Sequence, residues 1–333
     1  MKKIYTLFLI VLPVILNAQT HLEFDWNTQP EDASIYRISK YAGRLYFLAN
    51  DGRHGLEPWV FDPITNKASL LADLQPGGGS SDAFAKYFYQ GKIYFFTEYG
   101  IFRYDIEMDE TEKISEIDYL NSAAGIGNKI YFVARNAQSG KAVITALNTE
   151  TYSTEEINFS YGISETNLNP RLLVAHKGDL YFVGKNENDK DRVYRYLPST
   201  DSLDVLPAPG EIINHELGHF PVIAMTSAEG KLLIGMSMQH LTGYNLCTYN
   251  DTTDQIVPLA PDRVSTNVLT VHNGAVYYLS TVGKFRKYDL NTGVYTTEFD
   301  IIPNVEEKIL GVKVMEDELY IDVLANGIWK MFR

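Results

Sequence analysis

Short apolar runs opened by glycine recur along the chain at a near-constant interval. The first is Gly43-Arg-Leu-Tyr-Phe47. It returns as Gly91-Lys-Ile-Tyr-Phe95, Gly127-Asn-Lys-Ile-Tyr-Phe132, Gly178-Asp-Leu-Tyr-Phe182, Gly230-Lys-Leu-Leu-Ile234, Gly274-Ala-Val-Tyr-Tyr278 and, without the glycine, Glu318-Leu-Tyr-Ile321. The anchors Tyr46, Tyr94, Tyr131, Tyr181, Leu233, Tyr277 and Tyr320 stand 48, 37, 50, 52, 44 and 43 residues apart. Repeats of that period built from strand-forming residues predict a β-propeller whose repeats are blades. The runs are apolar at consecutive positions rather than alternate ones, as in Leu45-Tyr-Phe-Leu-Ala49. That pattern belongs to strands covered on both faces, as an inner blade strand is by its neighbours.

Each repeat resolves into four strands; in the second these are predicted at 83–89, 92–97, 101–105 and 112–117. Gln90-Gly91 supplies the tight turn between the first two. A second column runs through the third strands: Trp59-Val-Phe61, Phe102-Arg-Tyr104, Ile144-Thr-Ala-Leu147, Tyr194-Arg-Tyr196, Leu246-Cys-Thr-Tyr249, Phe285-Arg-Lys-Tyr288 and Ile328-Trp-Lys-Met-Phe332. Asp62, Asp105, Asn148, Asn250 and Asp289 follow five of these strands, where their side chains can bond their own backbone and start the hairpin to the outer strand. The predicted fold is therefore all-β, a single seven-bladed β-propeller over residues 19–333 with four antiparallel strands per blade. The last blade lacks an outer strand, and His21-Leu-Glu-Phe-Asp-Trp26 is expected to supply it and close the ring.

Residues 1–18 have the pattern of a secretory signal peptide, with Lys2 and Lys3 before an apolar run to Leu16 and Ala18 as the small residue at cleavage. The run is shorter than the ~20 residues a membrane-spanning helix needs. The expected location is secreted, periplasmic or extracellular. The single cysteine, Cys247, lies in an apolar strand pattern and reads as an inert buried thiol. Formal charge is −13, and −15 without Lys2 and Lys3, since 27 basic residues then face 42 acidic ones. A surface that negative repels phosphate backbones, so nucleic acid is excluded as a partner, and membrane insertion after cleavage is not expected.

Residues 47–82 carry Asn50-Asp-Gly-Arg-His-Gly-Leu-Glu-Pro-Trp59, then Leu71-Ala-Asp-Leu-Gln-Pro-Gly77 and Ser80-Ser81. This stretch resembles the exported propeller repeats with an Asn-Asp-Gly…Gly-Glu-Leu-Trp…Asp-Gly-Thr…Pro-Gly pattern, common in surface and secreted proteins of Bacteroidetes-like bacteria. Pro58 stands where that pattern has Leu, and Pro63-Ile64 replaces its Gly-Thr. The resemblance implies a seven- or eight-bladed exported propeller and implies no activity.

Candidate chemistry concentrates on one rim, where loops between second and third strands and loops entering each inner strand emerge around the channel mouth. Arg53, His54, Arg135, His215, Glu216, His219 and His240 fall there as candidate ligand-binding residues. His215-Glu-Leu-Gly-His219 matches the zinc-hydrolase pattern, but Gly218 and Pro221 argue against the helix that pattern needs. His215 and His219 are the ligands if any metal binds; no cofactor is expected, with calcium or zinc as the alternatives. Asn186-Glu-Asn-Asp-Lys-Asp191 reads as a hairpin tip rather than a calcium loop, and Gly77-Gly-Gly79 as a turn rather than a phosphate cradle. The expected function is a non-catalytic exported binding propeller that recognises a glycan, peptide or envelope protein at this rim as a monomer. The alternatives are a structural component of an envelope assembly and a metal-assisted hydrolase or lyase using the His215–His219 loop.

Overall fold

The computed structural model of the chain describes residues 36–83, 85–159, 168–207, 222–236, 244–280, 284–300, 307–315, 318–325 and 328–332. Every regular element among them is a strand. The first repeat comprises β1 (Tyr36–Tyr41), β2 (Arg44–Asn50), β3 (Leu56–Asp62) and β4 (Lys67–Leu70). The second comprises β5 (Ala85–Tyr89), β6 (Lys92–Thr97), β7 (Gly100–Asp105) and β8 (Glu110–Ser115). The third holds β9 (Tyr119–Ile126), β10 (Lys129–Arg135), β11 (Ala142–Asn148) and β12 (Thr154–Glu156), and the fourth β13 (Arg171–His176), β14 (Asp179–Lys185), β15 (Asp191–Leu197) and β16 (Ser202–Val205). Each of these four repeats is one four-stranded antiparallel meander.

Among the described residues the sheets number six, so the seven predicted blades are not seen as seven separate sheets. β17 (Val222–Ala228), β18 (Lys231–Met236), β19 (Tyr244–Asn250), β20 (Gln255–His272), β21 (Ala275–Ser280), β22 (Lys284–Asp289) and β23 (Tyr295–Asp300) form one seven-stranded sheet. The reason is β20, which runs unbroken for 18 residues. Its first part pairs with β19 as an outer strand, and its later part pairs with β21 as an inner strand. Pro258 and Pro261, which have no N–H to give to a ladder, lie inside it. The sixth sheet has three strands, β24 (Glu307–Met315), β25 (Glu318–Ala325) and β26 (Ile328–Phe332). The expected closing strand at residues 21–26 and the signal segment at 1–18 lie outside the described residues.

The inner strands follow one another in space from β5 through β9, β13, β17 and β20 to β24, and β24 lies beside β1. The consecutive apolar positions of the second strands are explained by this ring. In β6, Ile93 and Phe95 pack backward against Tyr46 and Leu48 of the first repeat, while Tyr94 and Phe96 pack forward against Ile130 and Phe132 of the third. In β14, Leu180 and Phe182 join Tyr131 and Val133, and Tyr181 and Val183 join Leu232 and Ile234. From Tyr46 to Leu233 the anchor column therefore faces the next repeat. Tyr46, Tyr94, Tyr131, Tyr181 and Leu233 are at most 2% exposed, so each contributes roughly 1.5–3 kcal/mol of apolar burial.

Turn chemistry follows the sequence reading. Gln90-Gly91, Lys177-Gly178 and Glu229-Gly230 join inner to second strands with positive φ at both residues, the mirror-image geometry that two-residue hairpins require. Asp62 accepts from the Ile64 N–H, Asp105 from Glu107 and Met108, Asn148 from Glu150 and Thr151, Asn250 from Thr252 and Thr253, and Asp289 from Asn291 and Thr292. A further column accompanies them. The hydroxyls of Tyr104, Tyr196 and Tyr249 donate to Asp109, Asp201 and Asp254, each five residues on, at 2.6, 2.8 and 2.6 Å. Those aspartates sit at positive φ, so one side chain both occupies the turn and ties it to the strand. Cys247 is fully buried, and burial pushes its thiol up to about 12, which makes it unreactive.

Candidate functional site

The inner strands are not regular along their whole length. β1, β9 and β13 are bulged near their starts, and Arg37, Ser122 and Leu172 take φ values of 54°, 54° and 53° there. Bulges re-aim side chains, and non-glycine residues held at positive φ cluster at functional places in a fold. Two of these three, Arg37 and Ser122, line a cavity of about 630 Å3 that opens where β1, β5 and β9 begin. A volume of that size falls within the ~300–1,000 Å3 of small-ligand sites.

The walls come from three repeats. Arg37, Ile38 and Ser39 line the β1 side; Asp82, Lys86, Thr97 and Glu98 belong to the second repeat; Tyr119, Leu120, Asn121 and Ser122 belong to β9. Lys86 reaches from β5 to the first repeat, where its ammonium donates to the carbonyl of Tyr46 at 2.6 Å and to that of Arg37. Two repeats are thereby bridged, and the backbone of Arg37 is fixed in its left-handed conformation. The Tyr119 ring packs 4.8 Å from Phe96, which in turn lies 5.3 Å from Phe132, giving the cavity an aromatic floor rooted in the inter-blade core. Burial pushes the Tyr119 hydroxyl up, and the positive charge of Arg37 acts in the opposite direction. On the other wall, Thr97 donates to the Gly100 carbonyl and accepts from the Tyr99 N–H, shaping the hairpin that presents Glu98.

The rim residues singled out in the sequence do not line this cavity. Arg53 and His54 sit in the loop between β2 and β3, whose organiser is Asp51. Its carboxylate accepts from the N–H groups of Arg53 and His54 at 2.9 Å and meets the His54 ring Nδ1 at 2.8 Å. Burial would raise the Asp51 carboxyl, but those hydrogen bonds overcome it and hold it below the ordinary range. Arg135, at the end of β10, pairs with the exposed Asp118 at 3.0 Å, an interaction that contributes little in water. His215, Glu216, His219 and His240 lie outside the described residues. Asn186 accepts from the N–H groups of Asn188 and Lys190, and Asp191 is buried against Arg171 and Lys185, so this segment is a hairpin tip. Among the described residues no three His, Cys, Asp or Glu side chains group as metal ligands.

The motif-bearing stretch at 47–82 proves to be a clamp. Glu57 is fully buried and accepts from the N–H of Leu74 at 3.1 Å and of Gln75 at 3.3 Å, drawing the loop after β4 onto β3. Burial pushes its carboxyl up to about 7, against the pull of hydrogen bonds from Ser81, Leu74 and Gln75. Leu56 completes the junction, with its N–H on the Ser80 hydroxyl and its carbonyl accepting from Ser81. Trp59 donates to the Ala49 carbonyl at 3.1 Å.

No family model matches this chain, and no curated protein matches it. Solved structures do resemble it. One is the extracellular domain of a B. thetaiotaomicron protein described as a one-component system (TM-score 0.60, 13% identity over 94% of this chain). This chain spans 40% of that one. An oligogalacturonate lyase in complex with manganese matches at TM-score 0.64 and 9% identity, covering 94% of this chain and 95% of that one. A prolyl endopeptidase structure matches at TM-score 0.62 and 11% identity, covering 90% of this chain and 49% of that one. These neighbours are propeller proteins, and at such identities the likeness establishes the fold alone: the chain is a β-propeller.

Proposed function

We propose that the protein is a non-catalytic exported binding propeller that takes a small polar ligand, a peptide or glycan segment, into the cavity at its channel mouth. The observation that carries this reading is the cavity itself. It has an aromatic floor and polar side chains contributed by three repeats, on a rim held by a rigid ring. The extracellular neighbour domain is consistent with export, as is the signal pattern of residues 1–18. We read the ring as seven blades, with the long β20 shared between the fifth and sixth and with residues 21–26 completing the last.

The test is binding to glycan and peptide arrays by the purified protein and by Asn121→Trp. Asn121 is an exposed lining residue whose enlargement fills the cavity without touching the core. Spots bound by the parent and lost in Asn121→Trp are expected. Spots retained by that variant, or none for the parent, would overturn the assignment of the site.

A further inference from the structure

Resting on that reading, the charges around the cavity say more about its occupant. Most arginines whose side chains are described have an ionic partner: Arg44 with Asp62, Arg103 with Glu112, Arg135 with Asp118, Arg171 with Asp191 and Arg195 with Asp179. The guanidinium of Arg37 has neither a carboxylate within 4.0 Å nor a hydrogen bond among the described residues, although its backbone carbonyl is bound by Lys86. A planar fork kept free at the edge of a cavity matches a carboxylate.

Asp82 and Glu98 line the second repeat's side of the same cavity, and neither is ion-paired among the described residues. Arg37 lines the β1 side, and no ion pair joins it to either carboxylate among the described residues. The second repeat's own cation, Lys86, is turned onto the carbonyls of Tyr46 and Arg37, so Arg37 and the two carboxylates face the cavity from different walls without pairing.

We propose that the cavity recognises a zwitterionic ligand, a short peptide with free ends, whose carboxylate docks on Arg37 and whose ammonium docks on Asp82 and Glu98. A polyanion would meet both carboxylates and a chain of net charge −13. A cation would meet Arg37. A neutral sugar leaves Arg37, Asp82 and Glu98 without a counter-charge. Between the poles, Ile38, Leu120 and the Tyr119 ring offer apolar surface to a central side chain.

Isothermal titration calorimetry with Ala-Phe-Ala, its N-acetyl form, its C-terminal amide and maltose tests this directly. The free peptide is expected to bind, and each blocked form to bind at least about tenfold more weakly, the loss of roughly one charge-assisted contact. Arg37→Met should erase the discrimination against the amide while sparing that against the acetyl form. Asp82→Asn combined with Glu98→Gln should do the converse. Unchanged melting temperatures would show that these exposed substitutions leave the fold intact. Equal affinity for free and blocked peptides, or no peptide binding, overturns the zwitterion assignment. Maltose binding that Asn121→Trp abolishes would overturn it while leaving the cavity as the site. Failure of every probe together with array signals that survive Asn121→Trp would remove the site as well.

Discussion

Glu57 is the residue whose removal tells most about how this fold holds its loops. Its buried carboxyl receives two backbone N–H groups from the connection between the first and second repeats. In Glu57→Ala both donors lose their acceptor in a site closed to water, at about 1–3 kcal/mol each. A destabilisation of ~3–5 kcal/mol follows once the emptied space is included. Glu57→Gln keeps one acceptor and turns an NH2 toward the other donor, so it should cost ~1–2 kcal/mol. The two variants also differ from the parent in pH dependence. With the carboxyl at about 7 in the folded state against 4.5 as its ordinary value, the folded protein holds the proton more tightly than the unfolded chain. The contribution of Glu57 is therefore full below pH 4.5 and is lost as pH rises through 7. Between pH 5 and pH 8 the loss comes to about 2.5 kcal/mol. Urea unfolding of parent and Glu57→Gln at both pH values measures it: the parent's advantage should shrink, or reverse, toward pH 8. An advantage that stays constant with pH would refute the buried-carboxyl reasoning, and an unaffected Glu57→Ala would refute the clamp.

Three further outcomes are expected. Gly55→Ala should cost several kcal/mol, because φ is 73° and a Cβ would collide with the Gly79 carbonyl, whereas Gly43→Ala, at φ 75° with open space around it, should cost only ~1 kcal/mol of backbone strain; thermal melts of the pair decide. Asp201→Ala should lower stability by ~1–2 kcal/mol through loss of the Tyr196 bond and of a residue suited to positive φ, and Asp254→Ala should add to it independently. The purified protein should hold no stoichiometric zinc or calcium and melt unchanged with chelator; one zinc per chain, lost in His215→Ala, would establish a metal site in the His215–His219 loop instead.

The ring was legible because its cause is repeated in the chain. Tyr46, Tyr94, Tyr131 and Tyr181 sit at one structural position, and the glycines before them mark the hairpins. The Tyr104–Asp109, Tyr196–Asp201 and Tyr249–Asp254 pairs were equally available from a spacing of five. The continuity of β20 was hidden because Pro258 and Pro261 carry the local signal of a loop, and tertiary pairing with β19 and β21 overrides it. The cavity was hidden for a different reason. Its residues form no column, since Arg37, Asp82, Glu98 and Asn121 come from unlike places in three repeats. The bulges that aim Arg37 and Ser122 are made without glycine, so no residue type announces them. The glycine-rich His54 neighbourhood drew attention as a binding loop, and its residues prove to be occupied with one another.

The ring that frames the cavity can be tested most directly by native-state hydrogen exchange on the peptides covering residues 21–26 and 328–332. Slow exchange in both, lifted together when residues 19–26 are deleted, is the predicted result of an outer strand paired with β26. Amides at 21–26 that exchange at the rate of an unstructured peptide, with 328–332 indifferent to the deletion, would contradict it.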